Sequence, residues 1–229
     1  MAITAKDLEF VGVQHNEIVD KTYYALYDGE ISEKESQIFV SDFLINTLLN
    51  LPDYTKESNL LGAMYASQNV LLGKAEFRTL YEGVPDKILT RKEKEYLDKL
   101  YSIVDKYNDN LERIISEIKN LEDEISKHTE FDEKQLITLF SATNLGKFSL
   151  EYWVRNEEKW ALLSQKSAGR HAKDIVKGDI AGGVGGAVGA WVVNVIPGAG
   201  QVAYGSAIIG GAVGTSVTVA VVKVLDWLW

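Results

Sequence analysis

At 229 residues the chain is long enough for one domain with an appendage. Its 33 acidic and 24 basic residues leave a net charge of −9, which argues against nucleic acid as a main partner, because phosphate contacts need clustered Lys and Arg. There is no cysteine, so disulfides, thiol catalysis and thiolate metal sites are excluded.

The N-terminal stretch MAITAKDLEFVGVQHNE has no charged start followed by an apolar core. No secretory signal is therefore expected, and synthesis in the cytoplasm is. From there to residue 180 helical periodicity dominates and strand signals are scarce. Helices are predicted near 14–28, 33–51, 57–82, 91–128 and 133–165. Pro52, Pro85, Asp28-Gly29 and Glu82-Gly83 fall in the gaps, and Ser32 with Glu35 forms a capping box for the second helix.

The fourth helix carries the strongest pattern of this acidic body. Leu97, Leu100, Val104, Tyr107, Leu111, Ile114, Ile118, Leu121 and Ile125 alternate in steps of three and four, the a/d seam of a heptad repeat. Such a seam serves either a coiled coil that dimerises or forms a stalk, or one long amphipathic helix packed inside its own bundle. The second reading is favoured for a single seam in a chain of this size. In the fifth helix Phe140, Phe148, Tyr152, Trp153 and Trp160 have the spacing of bundle core, and Gly146 is expected to break or bend it.

Little in the body suggests chemistry. His15 with Glu17, and His128 with Asp132, are partial ligand sets without a third member. Gly198-x-Gly200-x-x-Ala203 imitates a dinucleotide loop, but Pro197 stands where the strand would have to turn into it. No G-x-S-x-G, P-loop or H-E-x-x-H motif occurs. No catalytic residue, metal site or cofactor is predicted, and the chain is not expected to be an enzyme.

The last segment differs in kind. From Ile180 to Val222 the chain runs 43 residues without a charged residue or a histidine. An apolar run of about 20 helical residues crosses a hydrocarbon core of ~30 Å, and this run is about twice that. Pro197, Gly198 and Gly200 interrupt it, so a helical hairpin is predicted, with arms near 180–195 and 201–228. On the first arm Gly178, Gly182, Gly186 and Ala190 lie four apart beside Gly185 and Gly189. On the second, Ser206, Gly210 and Gly214 lie beside Ala203, Ala207 and Gly211. Residues four apart share a helix face, so each arm presents a smooth strip on which another backbone can pack closely in lipid. Twelve of the 19 glycines fall between Gly178 and Gly214. Each costs a helix about 1 kcal/mol relative to alanine in water, a loss that close packing would offset.

The flanks fit a membrane surface. Lys166, Arg170, Lys173 and Lys177 precede the hairpin, and Lys223, Trp227 and Trp229 follow it. Basic residues favour anionic headgroups, and tryptophan favours the interface. Asp179, Lys223 and Asp226 leave residues 178–229 at −1, so the body, residues 1–177, carries −8.

With its PGAG turn between two small-residue arms, the segment resembles the glycine-zipper hairpins of bacterial membrane-active toxins and glycine-rich bacteriocins. The plan of an acidic all-α body followed by an apolar hairpin is similar to the pore-forming domain of colicins. The likeness covers residues 178–222 by composition and spacing, and the remainder by architecture alone. It implies an all-α bundle that inserts its hairpin on meeting a membrane, forms homo-oligomers through the glycine strips and permeabilises the bilayer. An immunity or delivery partner would accompany such a protein, with export by a dedicated system, since the receptor-binding and translocation regions of a colicin have no counterpart here. Two other roles remain open: a resident membrane protein anchored by the hairpin, and a soluble assembly protein with the hairpin buried in an oligomer.

Overall fold

The computed structural model describes residues 3–29, 86–87, 89–106 and 110–162, together with Val176 and Ile180. The second and third predicted helices, with the Ser32–Glu35 capping box, and both arms of the hairpin beyond Ile180 lie outside the described residues. Among the described residues every element is helical and there is no strand. The described part of the chain is all-α.

The chain enters through a short 3-10 turn, Ala5–Leu8, where the Thr4 amide and hydroxyl donate to the Asp7 carboxylate at 2.9 and 2.7 Å. Helix α1 follows directly over Glu9–Tyr27 and stops at Gly29, whose φ of +70° lets the backbone turn left-handed. The helix thus starts earlier than the sequence pattern suggests.

The predicted single helix over 91–128 is two helices, α2 (Arg91–Lys106) and α3 (Leu111–Ser126). Asn110 sits between them with φ −102° and ψ 85°, outside the helical region, and its side chain accepts from the Arg113 amide at 2.9 Å. That is an N-cap, which begins a new helix rather than continuing an old one. Lys99 and Tyr96 of α2 both bond Glu124 of α3, so the helices lie antiparallel as a hairpin. The heptad seam folds back with them. Leu97, Leu100, Val104, Ile114, Ile118, Leu121 and Ile125 are all buried in the core of this chain, where the packing reading of the seam had placed them.

Helix α4 (Glu133–Arg155) is the centre of the bundle. It runs through Gly146 without interruption, contrary to the expected break, and ends at Asn156, after which α5 (Glu157–Ala161) adds a short turn. Every residue from Ile137 to Lys147 is buried, so three turns are covered on all sides. Glu93 of α2 lies by Gln135 and Leu100 by Gly146, so α2 runs parallel to α4; Ile118 by Gly146 and Glu122 by Thr143 set α3 antiparallel. Helix α1 runs parallel on another side, where Asn144 donates to the Ala5 carbonyl at 2.7 Å and Asn16 to the Phe148 carbonyl at 2.9 Å.

The N-termini of α2 and α4 are joined through their caps. Glu93 accepts from the Thr90 amide and hydroxyl at 2.8 and 2.7 Å, and Asp132 caps α4 through the Gln135 amide at 2.9 Å. Gln135 then reaches across to Thr90 and Glu93 at 3.2 and 3.3 Å. Burial raises the Glu93 carboxyl above its ordinary value, against the lowering effect of these bonds. The C-terminal end of α4 is aromatic. Trp160 donates to the Tyr152 hydroxyl at 3.1 Å, Tyr152 donates to Asp20 at 2.9 Å, and Tyr23 meets the Trp160 ring edge-on at 5.2 Å. Phe140, Tyr152, Trp153 and Trp160 are buried as their spacing predicts, and Phe148 is half-buried.

Candidate functional site

The residues that carry the functional expectation form the segment 173–229. The small-residue positions, the turn at Pro197, Gly198 and Gly200, and the flanking Lys173, Lys177, Lys223, Trp227 and Trp229 all lie outside the described residues. What is described is where the body meets the head of that segment. Val176 and Ile180 are both fully buried within the hydrophobic core. Ile180, the first residue of the uncharged run, therefore packs inside the body although the sequence boundary at 177/178 leaves it on the apolar side.

The seat of Ile180 is made by a missing side chain. A Cβ built on Gly146 would lie 3.4 Å from Ile180 Cδ1, 3.6 Å from Leu100 Cδ1 and 3.7 Å from Ile118 Cδ1. Gly146 thus forms the floor, with α2 supplying Leu100 and α3 supplying Ile118. The glycine that reads as a helix breaker instead leaves room on a buried helix for a side chain from elsewhere in the chain. The contact is apolar, so dispersion and water exclusion hold it, with no directional bond.

A buried ion pair lies beside this seat. Lys147, next to Gly146, reaches Glu122 of α3 at 2.7 Å, and the two side chains are 11% and 10% exposed. Thr143, one turn earlier on α4, donates to the same carboxylate at 2.7 Å. A pair this far from water is sustained only because its remaining hydrogen-bonding capacity is met. Sequence reasoning missed it, because Glu122 and Lys147 fall among many exposed charges and only the packing of α3 on α4 singles them out.

An open groove of about 430 Å³ runs between α2 and α3, lined in part by Glu95, Asp98, Lys99, Lys106, Glu117 and Glu124. The Lys99 bond holds the Glu124 carboxyl below the usual carboxylate range. Tyr96, bonded to the same carboxylate, is pushed up to about 12, chiefly by burial. His128 pairs with Glu130 at 3.1 Å rather than with Asp132, which caps α4. His15 is buried on α1 with Nδ1 3.0 Å from Asn16 Oδ1. Among the described residues no three His, Asp or Glu side chains gather as a metal-ligand set, and no helix is long and apolar enough to cross a membrane. No family model, curated protein or solved structure matches this chain.

Proposed function

We propose that this is a membrane-inserting, pore-forming helical protein of the bacteriocin-like toxin or secreted-effector kind. In this reading the body, residues 1–177, holds the apolar hairpin 178–229 until a bilayer is reached. The hairpin then enters the lipid and associates with copies of itself through its glycine strips. The observation that carries the reading is the 43-residue uncharged run with its small residues at helical spacing and its interruption at Pro197. The burial of Ile180 in the body supports the idea that the head of the hairpin is held before insertion. Membrane lipids are the primary partner and further copies of the chain the second. Delivery from the cytoplasm, with an immunity partner, follows from the resemblance.

Leakage of dye from lipid vesicles tests the proposal. A charge near the middle of an inserted helix costs about 2.5–3.5 kcal/mol, so Val188→Asp and Ile209→Lys are expected to abolish leakage while body helicity is kept. Equal leakage from the wild-type chain and both variants would refute it. Ile180's burial also favours a second reading, a soluble assembly protein whose hairpin stays packed in an oligomer. That reading predicts a stable oligomer in solution that never transfers to vesicles.

A further inference from the structure

We infer that Ile180 is a restraint: seated on Gly146 between Leu100 and Ile118, it ties the head of the uncharged run to the body, and emptying this seat loosens that tie. The inference rests on the membrane reading above for its purpose, but the restraint itself can be measured without a membrane. Its basis is geometric. Val176 and Ile180 are both fully buried, yet Asp179 and the long uncharged run from Ile180 adjoin them in sequence. A chain leaving a bundle would ordinarily leave from its surface. Here Ile180, the first residue of the run, is instead sunk against α4, at a glycine where a Cβ would stand 3.4 Å from it.

The seat is also adjustable in both directions. Because all three neighbours of a Cβ on Gly146 lie at 3.4–3.7 Å, alanine adds ordinary van der Waals contact and closes the remaining gap. Leucine at the same position would need the volume that Ile180 fills, and overpacking must displace one or the other. Ile180→Ala removes the seated side chain and leaves the glycines of the hairpin untouched.

The absence of cysteine from the chain provides the probe. A buried thiol reacts only when its surroundings open, so Ile180→Cys in the full chain reports seat opening through its rate of labelling by a charged maleimide. Labelling is expected to be more than about tenfold slower than in the urea-unfolded chain, and about tenfold faster with Gly146→Leu than with Gly146 kept. In chains without the cysteine, binding to vesicles of phosphatidylglycerol and phosphatidylcholine is expected to be greater for Gly146→Leu and Ile180→Ala than for wild type, and less for Gly146→Ala. Circular dichroism checks the fold of Gly146→Leu; if that variant unfolds, Gly146→Ala and Ile180→Ala decide. Labelling at the unfolded rate in a folded body overturns the restraint, as does equal vesicle binding by wild type, Ile180→Ala and Gly146→Ala. Slow, Gly146-dependent labelling with no vesicle binding by any chain upholds the restraint and overturns the membrane reading instead.

Discussion

Gly12 of α1 lies so close beneath Phe148 of α4 that a Cβ on it would stand 2.5 Å from Cγ and Cδ2 of the ring and 2.6 Å from Phe148 Cβ. The near atoms include the stem of the side chain, so the ring cannot simply swing away. Gly146, two residues before Phe148 on α4, has the opposite surroundings, with nothing nearer than 3.4 Å. The two glycines therefore predict opposite signs for one substitution. Gly146→Ala gains about 1 kcal/mol of helix propensity plus added contact and should raise the melting temperature. Gly12→Ala gains the same propensity but overpacks the α1–α4 contact, at a cost of about 1–3 kcal/mol, and should lower it or leave it level. Thermal unfolding of the two variants beside wild type checks this; a rise in both would mean that α1 is free to move off α4.

The pair Glu122 and Lys147 leads to a second prediction. Removing one partner of a buried ion pair strands the other charge, at about 3–5 kcal/mol. Glu122→Leu and Lys147→Met should each be strongly destabilising. The combination Glu122→Leu with Lys147→Met replaces the pair by apolar bulk and should recover most of the loss, since Thr143 still donates to the Phe140 carbonyl at 3.0 Å. Denaturant titration of the single and double variants measures the coupling. Additive losses would show that the pair is hydrated and contributes little.

These two examples indicate what the sequence can and cannot convey. Heptad spacing correctly assigned Leu97, Leu100, Val104, Ile114, Ile118, Leu121 and Ile125 to a buried face, because periodicity reports which side of a helix is apolar. It cannot report whether the helix is continuous, since two helices in phase give the same seam as one. The break was signalled locally by Asn108-Asp109-Asn110, residues that favour caps and turns, and the seam outweighed it. On α4 the polar residues Thr138, Ser141, Thr143, Asn144 and Lys147 are all buried, and Thr143, Asn144 and Lys147 have partners on α3 or in the N-terminal 3-10 turn that only the fold brings near. Gly146 looked like a flaw in a helix because glycine's helix cost is local, whereas its benefit, space for Ile180, comes from residue 180. The hairpin candidates rest on sequence alone, apart from the anchoring of Ile180.

The glycine strips yield a prediction independent of the body. Gly182→Leu combined with Gly186→Leu adds bulk where close backbone approach is expected and makes the segment more apolar. Vesicle binding should be retained, while leakage and cross-linked oligomers are lost. Oligomers that persist unchanged would show that the strips are not the interface.

Acidity should govern release. Hydrogen bonds or ion pairs from Lys99, Lys92, Lys94 and Thr4 hold Glu124, Glu130, Asp86 and Asp7 below their ordinary values of 4.5 for glutamate and 3.8 for aspartate. A carboxyl depressed in the folded state contributes stability that is complete above its unfolded value and is lost as pH falls through the folded one. Glu93 acts in the opposite sense: burial raises it from 4.5, so it opposes folding when ionised and ceases to as acid protonates it. The melting temperature should hold between pH 7 and about 5, then fall below about 4.5 as the paired carboxylates are protonated. Glu93→Gln removes the opposing contribution, so its loss of stability on acidification should be the larger. An anionic bilayer at about −30 mV lowers its surface pH by about half a unit, bringing the transition within reach at a bulk pH near 5. Binding to anionic vesicles should therefore rise as pH drops from 7 to 4.5, and Val188→Asp, with the same acid transition but a charged hairpin, should not follow. Binding that stays flat with pH while the melting temperature falls would separate the stability of the body from the exposure of the hairpin, and with it remove the reason to regard the body as a shield.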